Sequence, residues 1–195
     1  LKQELLKSYF QTIYLRDIIY PHQLRQNKDL FELLYFILSN VGKPFSYTNI
    51  GKTLNIATDT VKEYLFYAED SYLIYAINKY DTSVHKQLAN PRKVYCVDTG
   101  LVNALSFRFS ENKGHLIENL VFITLLKRGK ELFYHKEKTE CDFLVREGRQ
   151  ITHAIQVTLT MQTEEVRKRE ITGLLEALQT YNLKEGIIVT ETEKE

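Results

Sequence analysis

Two acidic residues in the C-terminal part of the sequence lie where a carboxylate needs a partner. Glu118 belongs to an apolar stripe of a predicted helix, and the stripe continues at spacings of three, four and seven residues with Val121, Phe122 and Leu125. Asp142 lies within a predicted strand. Burying a carboxylate is costly unless it is paired or bound to a metal ion. Glu118 is therefore expected either to pair with another side chain or to bind a metal ion.

The elements that position these residues follow from the hydrophobic pattern. Apolar and β-branched residues predict strands at 131–136, 140–146 and 151–158, with turn residues between them. A predicted helix at 113–128 precedes the strands, and a helix near 164–180 and a strand near 185–190 follow them. This order predicts a sheet packed against helices.

Alternation along a strand predicts which side chains share a face of the sheet. Asp142 is expected on the same face of its strand as Glu140 and Leu144. On the next strand, Gln156 and Thr158 share a face. Cys141 alternates away from Asp142 and is expected in the core rather than as a nucleophile.

The order of these elements, with Glu118, Asp142 and the tripeptide Gln156-Val157-Thr158, resembles the PD-(D/E)XK nuclease superfamily. In that family a helix Glu, an Asp on the second strand and a (D/E)-x-K tripeptide on the third strand bind Mg²⁺ and position water. The resemblance implies metal-ligand roles for Glu118 and Asp142. It implies that the catalytic positions are Glu118, Asp142, Gln156 and Thr158.

The tripeptide departs from the family pattern at both ends. Gln156 offers an oxygen without charge, and Thr158 cannot stabilise a developing phosphorane as an ammonium does. Two carboxylates leave weak Mg²⁺ binding open. Glu118 could instead pair with His115, and Asp142 could be an inward charge at a hairpin edge. A basic residue could have migrated to replace the family lysine; the candidates are Lys136, Lys138, Arg167 and Lys168.

The N-terminal part of the sequence predicts a winged helix-turn-helix. The pattern predicts a helix at 28–39, a short helix that Ser46 caps, and a third helix that Thr58 or Asp59 caps. Strands at 73–79 and 92–97 would form the wing.

The charge of this unit leaves its partner open. The third helix carries mostly acidic side chains, which disfavours contact with a polyanion and favours a protein-docking role. If DNA is bound, the expected contacts are basic residues of the third helix and the wing: Lys62, Lys79, Lys86, Arg92 and Lys93.

Composition indicates a globular protein of one large or two small domains. The sequence has 195 residues and a net charge of +1, which does not by itself indicate a nucleic-acid-binding protein. No apolar run is long enough to span a bilayer, so no membrane partner is expected. Two cysteines without paired spacing predict a cytoplasmic location with reduced thiols.

Several short motifs together resemble one group of bacterial and archaeal AAA-type ATPases of poorly defined function. They include Asp70-Ser71-Tyr72-Leu73, Arg92-Lys93-Val94-Tyr95 and Asp98-Thr99-Gly100-Leu101. In that group an ATPase module is followed by a winged helix and a nuclease-like domain. The resemblance implies that residues 1–27 are a helical linker from an ATPase module, 28–112 a winged helix and 113–195 a nuclease-like domain. ATP would then act only through the absent module.

The predicted fold is α/β, α+β overall, with a winged helix-turn-helix followed by a restriction-endonuclease-like αβββαβ core and a mixed sheet. The expected function is a non-catalytic C-terminal interaction region of an AAA-type ATPase, whose partner is DNA, a protein or a second copy. The alternative is a Mg²⁺-dependent DNA endonuclease that uses Glu118, Asp142 and Gln156.

Overall fold

The structure is a computed structural model that describes residues 1–25, 28–105 and 113–191. It divides into two compact units: unit 1 comprises Leu1–Ala76 and Arg92–Asn112, and unit 2 comprises Ile77–Pro91 and Lys113–Glu195. The predicted boundaries after residues 27 and 112 both fall at segments outside the described residues.

Unit 1 is mainly helical. Its elements are α1 (Lys2–Thr12), a π-helical segment (Ile13–Ile19), α2 (Lys28–Leu38), β1 (Pro44–Phe45), α3 (Tyr47–Leu54), α4 (Thr58–Asp70), β3 (Arg92–Cys96) and α6 (Thr99–Leu105). Strand β2 (Ile74–Asn78) begins in unit 1 and ends in unit 2. The sheet order is β1-β3-β2, so β3 is the central strand. The apolar stripe of α2, including Leu30, Leu33 and Leu34, is fully buried.

The start of α3 confirms a local signal in the sequence. Ser46 is the N-cap, and its hydroxyl accepts a hydrogen bond from Asn49 N at 3.2 Å. The prediction for α4 was wrong, because Ala57 is the N-cap and neither Thr58 nor Asp59 caps that helix. The predicted wing also omitted α5 (Val84–Ala89), which lies between β2 and β3 in the chain and belongs to unit 2.

Removing the α3 cap gives a first test of this local structure. Ser46→Ala leaves a helix N–H without its acceptor, and we expect it to lower the free energy of unfolding by about 1 kcal/mol. Thr58→Ala, which removes no cap hydrogen bond, should cost less than half as much. Denaturant titration followed by circular dichroism measures both. Equal losses in the two variants would contradict the cap assignment.

Unit 2 has the predicted order of helix, three strands, helix and strand. Its elements, after α5, are α7 (Lys113–Lys127), β4 (Glu131–Lys136), β5 (Glu140–Glu147), β6 (Gln150–Val157), α8 (Glu164–Tyr181) and β7 (Ile187–Val189). The sheet order is β4-β5-β6-β7. The first three strands pair antiparallel and β7 pairs parallel to β6, which confirms the mixed sheet.

A bulge in β5 corrects the predicted faces of that strand. Phe133 of β4 pairs with Leu144 and His135 pairs with Cys141, so β5 holds one extra residue between these pairs. Cys141 and Leu144 consequently lie in one buried cluster with Leu174 and Ala177 of α8, and the core position of Cys141 is confirmed. Leu144 therefore does not follow the alternation expected from Asp142.

Two further features of the chain bear on its chemistry. Cys96 of unit 1 and Cys141 of unit 2 are both buried thiols with 0% exposure. Among the described residues, no helix is both long and apolar enough to cross a membrane.

Candidate functional site

Asp142 and Gln156 meet where the pairing of β5 with β6 ends. The paired register of the two strands ends at Phe143 and Ile155. Beyond that pair, Asp142 Oδ2 accepts a hydrogen bond from Val157 N at 3.0 Å, and Asp142 N donates to Gln156 Oε1 at 3.3 Å. Hydrogen bonds from side chains therefore replace the main-chain pairing at this point. The side chains of Asp142 and Gln156 are each 6% exposed.

Glu170 of α8 is a buried carboxylate of this site that the sequence analysis missed. It is 6% exposed, and its Oε2 accepts from Gln156 Nε2 at 2.6 Å. Arg169, whose side chain is largely exposed, donates to Glu170 Oε1 through Nε at 3.0 Å and through Nη2. The signal was present in the sequence, because Glu170 recurs with Gly173, Leu174 and Ala177 on the buried stripe of α8.

The orientation of the Gln156 amide is fixed by its neighbours. A carboxylate needs a donor and a main-chain N–H needs an acceptor, so the NH₂ group must face Glu170 and the oxygen must face Asp142 N. Both ends of the amide are therefore engaged inside the protein. An oxygen in this position is a poor candidate for a metal ligand.

The other predicted site residues also have partners within unit 2. Glu118 is 5% exposed, and its Oε2 lies 3.3 Å from His115 Nδ1, which is the alternative pairing that the sequence allowed. Thr158 N donates to Val189 O at 3.0 Å, and its hydroxyl donates to Thr160 O at 3.3 Å. Thr158 is thus held by the end of the sheet.

The donor set fits a Mg²⁺ centre poorly. Across residues 1–25, 28–105 and 113–191, no group of three or more His, Cys, Asp or Glu side chains has the arrangement of a metal site. Asp142 Oδ2 is engaged by Val157 N, and the Gln156 oxygen is engaged by Asp142 N. Of the proposed replacements for the family lysine, Lys136 pairs with Glu140 at 3.2 Å. Arg169, which was not among those candidates, reaches this network through Glu170.

The five basic residues predicted to contact DNA differ widely in exposure. Lys93 is 1% exposed on the central strand of unit 1, so its ammonium is not presented to a phosphate. Arg92 contacts the Tyr47 hydroxyl at 2.8 Å and Glu69 at 3.5 Å. Lys62 pairs with Asp59 at 2.9 Å, and Lys79 of unit 2 pairs with Glu137 at 2.7 Å. Lys86 is exposed on α5.

A second buried polar cluster in unit 2 joins β4 to α8. His135 is 0% exposed, with Nδ1 3.0 Å from the Tyr181 hydroxyl and Nε2 3.5 Å from Glu176 Oε1. Glu176 accepts from the Thr139 hydroxyl and from the N–H groups of Lys138 and Thr139. These bonds, with that of the Thr139 hydroxyl foremost, lower the pKa of Glu176 from 4.5 to about 2. Burial lowers the pKa of His135, and Glu176 opposes that shift.

The shift at Glu176 predicts a specific loss of stability in acid. The folded pKa lies below the usual 4.5, so the stabilisation is complete above pH 4.5 and is lost as the pH falls from 4.5 towards 2. Glu176→Gln should be less stable at neutral pH and should lose less stability over this acid range. Exposed Glu185→Gln is the control. The free energy of unfolding is measured at a series of pH values. If it depends on pH in both variants as steeply as in the wild type, the assignment to Glu176 is contradicted.

Comparison with known proteins places the chain in a family. Residues 1–112, more than half of the chain, match a family described as a domain of unknown function, DUF8612. The chain belongs to the DUF8612 family. Residues 113–195, which follow the DUF8612 region, match a second domain of unknown function, DUF4143.

Two longer proteins are similar to this chain in sequence. An uncharacterized protein of Methanocaldococcus jannaschii is 32% identical over 94% of this DUF8612 chain and 42% of its own length. An uncharacterized protein of Haemophilus influenzae is 29% identical over 78% of this chain and 40% of its own length. The chain therefore spans about two fifths of the curated relatives that it matches. No solved structure matches it.

Proposed function

We propose that the chain is a non-catalytic C-terminal interaction region of an AAA-type ATPase, with a nuclease-like domain whose site serves as a scaffold. The observation that carries this proposal is the double engagement of the Gln156 amide by Asp142 N and Glu170. At the position where the superfamily has a charged metal ligand, this chain has a neutral group that holds α8 and β5 to β6.

The arrangement of unit 2 supports a nuclease-like ancestry. The αβββαβ order and mixed sheet match the superfamily pattern, and Asp142 and Gln156 lie beside each other on neighbouring strands. A lost metal site leaves carboxylates that still need partners. In this chain each carboxylate has a partner inside the protein. Asp142 accepts a hydrogen bond from Val157 N, Glu118 contacts His115, and Glu170 accepts from Arg169.

The arrangement of unit 1 supports a winged helix in an interaction role. Strand β1 lies between α2 and α3, and it pairs with β3, one of the two strands that follow α4, as expected when a short strand between helices joins a wing. The burial of Lys93 and the pairing of Arg92 reduce the positive charge available to DNA. A protein partner is therefore favoured over a nucleic acid.

The match of residues 113–195 to DUF4143 supports the link to an ATPase. Domains of the DUF4143 type are found in C-terminal regions associated with AAA ATPases. The two relatives are more than twice the length of the matched region, which leaves room for a further module.

Metal titration and DNA cleavage together test the proposal. We expect that isothermal titration of the chain with Mg²⁺ or Mn²⁺ shows no saturable binding. Supercoiled plasmid and single-stranded DNA should remain uncut in both metals, with the same background in Asp142→Asn as in the wild type. Metal binding and cleavage that Asp142→Asn abolishes, and that exposed Glu165→Gln retains, would overturn the scaffold proposal.

A Mg²⁺-dependent DNA endonuclease is the second candidate, and one observation favours it. Glu170 brings a carboxylate to Gln156, so the charge missing from the third strand is present on the adjacent helix. Loss of cleavage in Glu118→Gln, Asp142→Asn and Glu170→Gln, with the fold retained, would establish this candidate in place of the first.

A further inference from the structure

Helix α4 of unit 1 has an exposed face with an aromatic side chain at its centre. Its buried side packs Val61, Leu65 and Ala68 into the core. The opposite side presents Phe66, whose exposure is 59%. Around Phe66, at helical spacing, lie three carboxylates and one ammonium, from Asp59, Lys62, Glu63 and Asp70. The Phe66 ring packs edge-on against Tyr67, with centroids 6.0 Å apart, and it leaves an apolar surface exposed beside carboxylates.

The charged groups of this face are held in place by local contacts. The ammonium of Lys62 is paired with Asp59 at 2.9 Å. Glu63 accepts from the Tyr67 hydroxyl at 2.5 Å, and the Tyr67 ring stacks on His22 with ring centroids 3.8 Å apart. Asp70 lies 3.7 Å from His22 Nε2. Because the only ammonium among them is paired with a carboxylate, the face as a whole is negative around Phe66.

The turn that ends α4 presents a second exposed aromatic side chain. Tyr72 has a φ of 57° and is 69% exposed. Tyr72 N donates to Glu69 O and Leu73 N donates to Ala68 O, which is the Schellman arrangement that favours glycine at this position. The ring is largely exposed, and this position holds a residue less favourable than glycine. A role outside the fold explains the tyrosine.

We infer that the exposed face of α4, with Phe66 at its centre and Tyr72 at its end, docks a protein segment that presents arginine side chains beside apolar ones. A guanidinium stacks on an aromatic ring and binds carboxylates in a bidentate manner, so aromatic and acidic groups together fit arginine better than lysine. DNA does not fit, because its phosphates would face the carboxylates of Glu63 and Asp70. The inference rests on the proposed function, since it names the chemistry of the partner that the interaction region would bind.

Binding of synthetic peptides to the full chain tests the inference. The probe is an amphipathic helix of arginine and leucine, and the comparisons are the same helix with lysine, the same helix with glutamate, and a short DNA duplex. Isothermal titration should show saturable binding of the arginine helix, several-fold weaker binding of the lysine helix, and none of the others. No binding of the arginine helix, or tighter binding of the duplex, would overturn the inference.

Substitutions locate that binding. Phe66→Ala should raise the Kd of the arginine helix at least about tenfold, as expected for a central aromatic anchor, and Asp70→Asn should raise it less. Leu120→Ala, which removes an apolar side chain of similar exposure from α7 of unit 2, is the matched control and should leave Kd unchanged. An equal Kd in Phe66→Ala and the wild type would show that the peptide binds elsewhere and would overturn the inference.

Tyr72→Gly separates a docking role from a structural one. Glycine adopts the positive φ without a Cβ penalty, so the variant should melt at a temperature roughly 2–4 °C higher than the wild type. It should nevertheless bind the arginine helix several-fold more weakly. A gain in stability with unchanged binding would show that Tyr72 does not belong to the docking surface. These measurements involve neither metal nor DNA cleavage, so their failure and that of the proposed function are distinguishable.

Discussion

Gly173→Ala is expected to lower the free energy of unfolding by roughly 3 kcal/mol, the largest effect of a single methyl group that the structure predicts. Gly173 lies on the buried stripe of α8, where the helix passes directly over β5. A Cβ built there would stand 2.2 Å from Glu140 O and 3.3 Å from Glu140 C. These are main-chain atoms of a paired strand, so no side-chain rotation relieves the contact and the helix must move away.

Gly114 provides the matched control for this substitution. It lies on α7, and a Cβ there meets no atom within 4 Å. Gly114→Ala should therefore raise stability by about 0.5–1 kcal/mol, because alanine loses less backbone entropy in a helix than glycine does. Thermal and urea unfolding, followed by circular dichroism, measure both variants. Similar stabilities of the two would show that α8 does not approach β5 this closely.

Glu170→Ala is expected to cost about 1–3 kcal/mol, because it leaves the buried NH₂ group of Gln156 without its acceptor. The lost stability should come from the contact with Gln156. The contact with Arg169 should contribute little, because the Arg169 side chain is 72% exposed and can be hydrated. Exposed Glu165→Ala of the same helix should change stability by no more than about 0.5 kcal/mol.

A double-mutant cycle isolates the contact between Glu170 and Gln156. Glu170→Ala, Gln156→Ala and the combined variant should show a coupling energy of about 0.5–3 kcal/mol. Arg169→Ala combined with Gln156→Ala should be close to additive. Additivity between Glu170 and Gln156 would contradict the hydrogen bond that joins α8 to β6, and with it the main support for the scaffold proposal.

The sequence predicted most of the longer elements of this fold because their signals are local, whereas it missed the short elements β1, α5 and α6. The Ser46 cap depends on a hydroxyl and an N–H three residues away, and the strands of unit 2 follow from their content of β-branched and apolar residues. The N-cap of α4 was missed for a related reason. Ala57, Thr58 and Asp59 are adjacent, and only the backbone angles decide which of them begins the helix.

The parts that the sequence did not predict depend on partners that are distant in the chain. The bulge in β5 is a property of its register with β4, and it cancels the alternation on which the predicted position of Leu144 depended. The burial of Lys93 follows from the central position of β3 between β1 and β2, whereas the predicted wing had only two strands. For Glu170, helical periodicity gave the stripe, but only the packing of α8 on the sheet brought its carboxylate to Gln156.

Each unit contains one buried thiol, so the rate at which that thiol is alkylated can measure how often its unit unfolds. Burial raises the pKa of Cys96 to about 12, so at neutral pH it holds almost no thiolate, the form that alkylating reagents attack. Cys141 is equally enclosed, under α8. Each thiol should therefore react only while its unit is unfolded, and variants with a single cysteine, Cys96→Ala and Cys141→Ala, would give one labelling rate for each unit. Equal labelling rates would mean that the two units unfold together in one cooperative transition. Different rates would mean that one unit can stay folded while the other unfolds.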